Sequence, residues 1–186
     1  MRLTERVHAA LSEKLQPGDF AVDATMGNGH DTLHLSKLIG PDGKVWAFDI
    51  QDAALERTRE RLEQAHQVNA SLICANHSEL EKHLPRDALG VIKAVVFNLG
   101  YLPGQDKSIT TEASSTLAAI QSAIRVLAQG GVLEILCYTG HSQGLEEWLA
   151  LETWISNRLP ESVTVSIMSP YDATRRPPVW LEIEKH

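Results

Sequence analysis

The stretch Asp23-Ala-Thr-Met-Gly27-Asn-Gly29-His30-Asp31 puts two carboxylates and two glycines behind a short apolar run, Phe20-Ala21-Val22. Ahead of it, Leu33, Leu35 and Leu38 begin a helical pattern. A strand that ends in a glycine-rich turn and feeds a helix is how α/β folds bring main chain close to a nucleotide-like ligand. Gly27 and Gly29 can adopt positive φ, and without a Cβ they let a bulky group approach the backbone. No third glycine completes the dinucleotide pattern G-x-G-x-x-G, and an acid, Asp23, precedes the glycines. That combination points to S-adenosylmethionine (SAM), whose amino-acid moiety meets a carboxylate and turn amides. Asp23, Met26, Gly27, Asn28, Gly29 and Asp31 are therefore expected to line a cofactor, with His30 a further contact. The plainer alternative is a turn that only joins strand to helix.

Asp49 ends a second apolar run, Val45-Trp-Ala-Phe48, where a carboxylate can accept from both ribose hydroxyls of an adenine nucleoside. Ile50 and Gln51 follow it and could lie against the base. NAD and SAM sites share this acid, so it supports a nucleoside without choosing between them. A third segment, Asn98-Leu-Gly-Tyr101-Leu-Pro-Gly104, leaves the strongly apolar run Val91–Phe97. Asn98, expected to border the cofactor as well, offers an oxygen that can accept from an amine, and Tyr101 a flat face for a base. It is similar to the Asn-Pro-Pro-Tyr segment of amino-directed methyltransferases, with Leu-Gly in place of Pro-Pro. Gln105 to Thr111 is polar: Asp106 is a candidate proton acceptor, and Lys107 and Ser108 are candidate substrate contacts. One of Ser108, Thr110 and Thr111 is expected to cap the next helix. His141 could act as a base near neutral pH. Arg175 and Arg176, in a proline-flanked loop, could contact a nucleic acid.

These residues need a frame that brings them to one edge. Helical periodicity runs over Leu3–Leu15, Asp31–Ile39, Asp52–Gln67, Ser78–Leu84, Glu112–Ala128 and Leu145–Arg158. Strand patterns run over Phe20–Asp23, Val45–Ile50, Leu72–Ala75, Val91–Phe97, Val132–Tyr138, Val163–Met168 and Val179–Ile183. Gly130-Gly131 would stop the long helix. Alternating strands and helices predict βαβ units and a mostly parallel sheet, and the last two strands, with no helix between them, should pair antiparallel. The expected fold is a Rossmann-like α/β methyltransferase domain over residues 1–186, seven-stranded, with a C-terminal antiparallel hairpin. Parallel sheets of this kind bind ligands beyond the carboxyl ends of their strands, where Asp23, Asp49, Asn98 and His141 would all lie.

Composition sets outer bounds. The chain has 186 residues, 43% of them hydrophobic, and a formal net charge of −7. That charge excludes a broad nonspecific grip on nucleic acid but permits a local basic patch. Neither a membrane span nor a signal-peptide pattern is visible, so a cytoplasmic location is expected. Cys74 and Cys137 sit in apolar runs and read as small buried hydrophobes. No metal-ligand spacing is visible, and no metal site is expected. The charges Glu56, Arg57, Arg59, Glu60, Arg61 and Glu63 read as a solvated helix face.

The turn Asp23–Asp31, the segment Phe48-Asp-Ile-Gln51 and the segment Asn98–Gly104 with Asp106-Lys-Ser-Ile-Thr-Thr111 together resemble one family. These are bacterial class I methyltransferases long labelled rRNA methylases and now understood to modify the tRNA wobble uridine. The resemblance covers essentially the whole chain. It implies SAM as cofactor and methylation of 5-aminomethyl-(2-thio)uridine to the 5-methylaminomethyl form. It places Asp23, Gly27, Gly29, Asp49 and Gln51 around SAM, and Asn98, Tyr101, Asp106 and Lys107 by the reacting amine and nucleotide. Gln105 stands where many relatives have a second glycine, Thr139 where they often have histidine, and the loop from Tyr171 to Pro178 lacks their amide-rich sequence. Alternatives of other kinds are a small-molecule or rRNA methyltransferase of the same fold, an NAD-dependent oxidoreductase, and a non-catalytic nucleotide-binding module. A homodimer, which would widen the surface offered to a tRNA, is a further expectation.

Overall fold

A computed structural model describes residues 2–100, 113–169, 174 and 177–186. The elements in chain order are α1 (Leu3–Lys14), β1 (Phe20–Asp23), α2 (His30–Ile39), β2 (Lys44–Asp49), α3 (Asp52–Gln64), β3 (Ala70–Cys74), α4 (Leu80–His83) and β4 (Ile92–Leu99). They continue with α5 (Ala113–Val126), β5 (Leu127–Cys137), α6 (Ser142–Arg158), β6 (Val163–Ser169) and β7 (Val179–Lys185). The seven strands form one sheet in the order β3-β2-β1-β4-β5-β7-β6. The five strands from β3 to β5 pair parallel, and β7 pairs antiparallel with both β5 and β6. The expected Rossmann-like architecture and its terminal hairpin are what the chain adopts.

Strand alternation divides the core between the two faces of the sheet. Val22, Trp46, Phe48, Val95, Phe97 and Ile135 point to the face covered by α4, α5 and α6, where Trp148 and Leu151 meet them. Ala21, Val45, Val96 and Trp180 point to the other face, against Val7 and Leu11 of α1 and Leu35 and Ile39 of α2. Burial on both sides explains the near-continuous apolar run of β4. Each fully buried side chain as large as Phe97 contributes roughly 1.5–3 kcal/mol, so the central strands are held firmly. They carry the site at their carboxyl ends.

Two expectations are corrected. The long helix ends at Val126, and Gly130-Gly131 lie within β5 instead of capping it. Pairing moves from Ile92↔Leu127 to Ala94↔Val132, so the glycines form a bulge. Gly130 has φ 70°, and a Cβ on Gly131 would come 2.9 Å from the Ile92 carbonyl oxygen. Cys137 is buried as expected, but Cys74, the last residue of edge strand β3, is exposed.

Glu134 is fully buried and faces Glu182 directly across the β5–β7 ladder. Its Oε2 accepts from Trp180 Nε1 at 2.7 Å, while Lys14 Nζ lies 2.9 Å from Glu182 Oε1. Burial pushes the Glu134 carboxyl up from 4.5 to about 8, against the pull of the Trp180 N–H and with a further push from Glu182. The folded state therefore holds this proton over a range in which the unfolded chain has released it. The resulting stabilisation is full below pH 4.5 and is lost as pH rises towards 8. Glu134→Gln should flatten that decline, by up to about 1.4 kcal/mol per pH unit, in urea titrations compared between pH 5 and pH 8.

Candidate active site at the carboxyl ends of β1, β2 and β4

The turn after β1 is built by hydrogen bonds to Asp23. Its carboxylate accepts from Thr25 N at 3.1 Å and from Thr32 Oγ1 at 2.6 Å, and the side chain is fully buried. Burial, then the nearby Asp31 charge, push the Asp23 carboxyl up to about 7, against the pull of those two donors. Asp23 thus shapes the turn from below, with its carboxylate committed to protein donors. Met26 is also buried, packed with Ala47 and Ala54 beneath the turn.

Gly27 and Gly29 both take positive φ, 51° and 75°. The need for Gly29 differs from the expected one: a Cβ there would lie 2.7 Å from Thr58 Oγ1 and 2.9 Å from Thr58 Cα, on α3. The missing side chain lets helix and turn touch. Two arginines of α3 complete that junction. Arg57 Nη1 donates to Asn28 Oδ1 at 3.0 Å, and Arg61 Nε donates to the Asn28 carbonyl at 2.7 Å. Arg61 Nη2 also lies 3.3 Å from Nε2 of the exposed His30. Arg57 and Arg61 are therefore supports of the turn, where sequence suggested only a solvated face.

Asp49 lies across from the turn at the end of β2. It accepts from Gly27 N at 3.1 Å and from Gln51 N at 3.0 Å. Burial raises its pKa, and these backbone amides work against the rise. The Ile50 amide is a third donor acting on it, and of the about four lone-pair positions of a carboxylate this leaves one for a ribose hydroxyl. Ile50, next to it, is 52% exposed, an apolar surface beside a polar anchor. Gln51 is the N-cap residue of α3, with Asp52 in the first turn.

At the end of β4, Asn98 N donates to Thr25 Oγ1 at 2.7 Å, and Asn98 Nδ2 donates to Asp31 Oδ2 at 2.5 Å. A carboxylate only accepts, so the amide nitrogen faces Asp31 and the oxygen faces away from it. Asp31 Oδ1 takes a second bond, from His8 Nε2 of α1, at 2.5 Å. Tyr138, 37% exposed beyond β5, lies close enough for the Asp31 charge to add to the rise that burial gives its phenol. Tyr138 and His8 are site neighbours that no motif had singled out. His141 is placed differently from a free base. Its Nδ1 accepts from Gly144 N at 3.1 Å and caps α6, so the lone pair a base would use is engaged. Its ring flanks Gly100, where an added Cβ would sit 3.5 Å from His141 Nε2.

The structure thus brings together Asp23, Gly27, Gly29, Asp31, Asp49 and Asn98. Tyr101, Asp106, Lys107, Ser108, Arg175 and Arg176 lie outside the described residues. Among the described residues, no group of three or more His, Cys, Asp or Glu side chains could hold a metal ion. Nor is any helix among them long and apolar enough to cross a membrane.

Comparison with known proteins places this arrangement. Residues 45–184 match the model of the family described as "Putative rRNA methylase". The chain belongs to that family. The chain is 39% identical to the chloroplastic tRNA (mnm(5)s(2)U34)-methyltransferase of Arabidopsis thaliana, over 87% of this chain and 61% of that protein. It therefore spans about three fifths of the plant relative's length. Among solved structures, a "putative methyltransferase" of Streptococcus mutans in complex with SAH is 38% identical with a TM-score of 0.86, covering 100% of this chain and 99% of that one. An rRNA methylase of Streptococcus thermophilus is 31% identical with a TM-score of 0.78, over 100% and 97% of the two chains. The family is one of SAM-dependent methyltransferases.

The Thr58 contact yields a test. Gly29→Ala should cost about 1–3 kcal/mol of stability, from an L-residue at φ 75° and from displacing α3. Urea denaturation measures it. Unchanged stability with weaker SAH binding would instead mean that Gly29 is needed only for ligand clearance.

Proposed function

We propose that this chain uses SAM to methylate the primary amine of 5-aminomethyl-(2-thio)uridine at the tRNA wobble position, giving the 5-methylaminomethyl form. The observation that carries this reading is Asn98, held at the end of β4 with its carboxamide oxygen directed away from Asp31. Support comes also from the plant relative, whose name specifies this wobble nucleotide.

The residues present suit the cofactor. Asp49 has acceptor capacity for a ribose, and Ile50 supplies apolar surface for a base. The carboxylates of Asp31 and Asp49 border the cleft, and negative charge there favours a sulfonium and an ammonium. When bound, SAM supplies an electrophilic methyl group on positively charged sulfur.

The chain's part is to prepare the acceptor. An alkylammonium has no lone pair, so the site must bind the amine, take one proton and orient the nitrogen. Asn98 Oδ1 accepts an amine N–H and fixes the lone pair towards the methyl carbon. With SAM bound, methyl transfer to this nitrogen would leave a neutral thioether and a substituted ammonium, whose N–H Asn98 Oδ1 would still accept. Asp106 takes the proton lost beforehand, directly or through water. His141, committed to the α6 cap, orders the wall beside Gly100. Tyr101 stacks on the nucleobase, and Lys107, Ser108, Arg175 and Arg176 meet the RNA backbone.

Incubating the protein with labelled SAM and bulk tRNA from a strain lacking the final wobble methyl group should place label in tRNA. Label only in small amines would favour a small-molecule methyltransferase, and no SAM binding by calorimetry would remove both readings. Asn98→Ala should lower kcat roughly 100-fold with SAH affinity little changed. Asp106→Asn should lower kcat and move its acid limb; near-normal methylation across pH would exclude Asp106 as the proton acceptor.

A further inference from the structure

His8 lies on α1, far in sequence from every motif of the cleft, yet one hydrogen bond separates it from the residue that holds Asn98. Its Nε2 is 2.5 Å from Asp31 Oδ1, while the other oxygen of the same carboxylate receives Asn98 Nδ2 at 2.5 Å. Each oxygen of Asp31 thus has a donor, one from α1 and one from β4. With both engaged, rotation of the carboxylate breaks a bond, and its plane is fixed.

His8 is itself well held. Val7 and Leu11 bury the adjoining stripe of α1 against the sheet, which leaves His8 at the edge of the contact with α2. Its ring stacks on His34 of α2, with centroids 3.9 Å apart and planes 6° from parallel. His34 Nε2 lies 3.1 Å from the His8 carbonyl oxygen, so that nitrogen must carry the hydrogen. Burial lowers the pKa of His34, and His8 adds to the effect, which favours a neutral ring in the stack. The His8 side chain is 24% exposed and that of Asp31 16%. The contact is sheltered enough for a charge-assisted bond to keep much of its strength.

We propose that His8 is a positioning residue for the acceptor site: it clamps the Asp31 carboxylate, and Asp31 then holds the Asn98 carboxamide with its oxygen towards the cleft. This rests on the reading that Asn98 receives the amine. Without the clamp Asp31 can turn, and the Asn98 amide loses the partner that distinguishes its nitrogen from its oxygen. An amide that samples both orientations presents a donor to an amine for part of the time, which slows methyl transfer.

Two substitutions in the full-length protein separate the hydrogen bond from the packing. His8→Phe keeps a ring on His34 and removes the donor; His8→Gln removes the ring and keeps an N–H donor at similar reach. The inference expects His8→Phe to lower kcat on tRNA lacking the wobble methyl group by roughly tenfold to a hundredfold, with the SAH dissociation constant within about twofold of wild type. His8→Gln should recover most of the rate. In nitrogen-15 spectra the Asn98 side-chain amide should shift in His8→Phe and return towards its wild-type position in His8→Gln. An unmoved Asn98 amide in His8→Phe, or a kcat equally reduced by both variants, would overturn the inference. A wild-type protein that methylates no tRNA would refute the wobble reading itself, and the Asn98 resonance, which needs no substrate, would still decide the role of His8.

Discussion

Asp31 receives hydrogen bonds from the Asn98 amide and the His8 imidazole, and so ties the start of α2 to the end of β4 and to α1. Thr25 makes a parallel tie, accepting from Asn98 N while its own amide is held by Asp23. The glycine turn and the end of β4 therefore behave as one rigid piece. That rigidity matters because a methyl-transfer site must align two molecules that share no bond before the reaction. Positional error of an ångström at either half is costly in rate. The sheet supplies the stiff base, and these short polar links fix the orientation.

The same piece concentrates negative charge. Burial raises both Asp23 and Asp49 from their ordinary value, and Asp31 adds to the rise at Asp23. Carboxylates brought this close cost folding energy, and the cost is offset by backbone amides and the Thr32 hydroxyl. Keeping them there makes sense if the ligands are cations. A sulfonium cofactor and an alkylammonium substrate both meet that condition, and a dinucleotide pyrophosphate does not.

Much of this was legible in the sequence, for identifiable reasons. The turn, Asp49 and Asn98 each sit at the end of an apolar run, so the strand pattern places them at one edge before any contact is known. Local glycine chemistry likewise marks Gly27 and Gly29. What sequence misses depends on tertiary approach. Arg57 and Arg61 look like any exposed helix charges until α3 is docked on the turn. His8 becomes a partner of Asp31 only when α1 lies beside α2, across a separation of 23 residues. Gly130-Gly131 carry a helix-stop signature yet serve a bulge, because β5 must accommodate a register shift against β4. Cys74 shares the composition of a buried strand but ends an edge strand, where one side has no neighbour.

The central claim concerns where the Asn98 oxygen points and what meets it. A crystal structure of the protein with SAH and an anticodon stem-loop carrying 5-aminomethyluridine measures that directly. The amine nitrogen is expected about 3 Å from Asn98 Oδ1, in line with the SAH sulfur, with Asn98 Nδ2 still on Asp31. An amine bound away from Asn98, or an Asn98 amide turned so that its nitrogen enters the cleft, would contradict it.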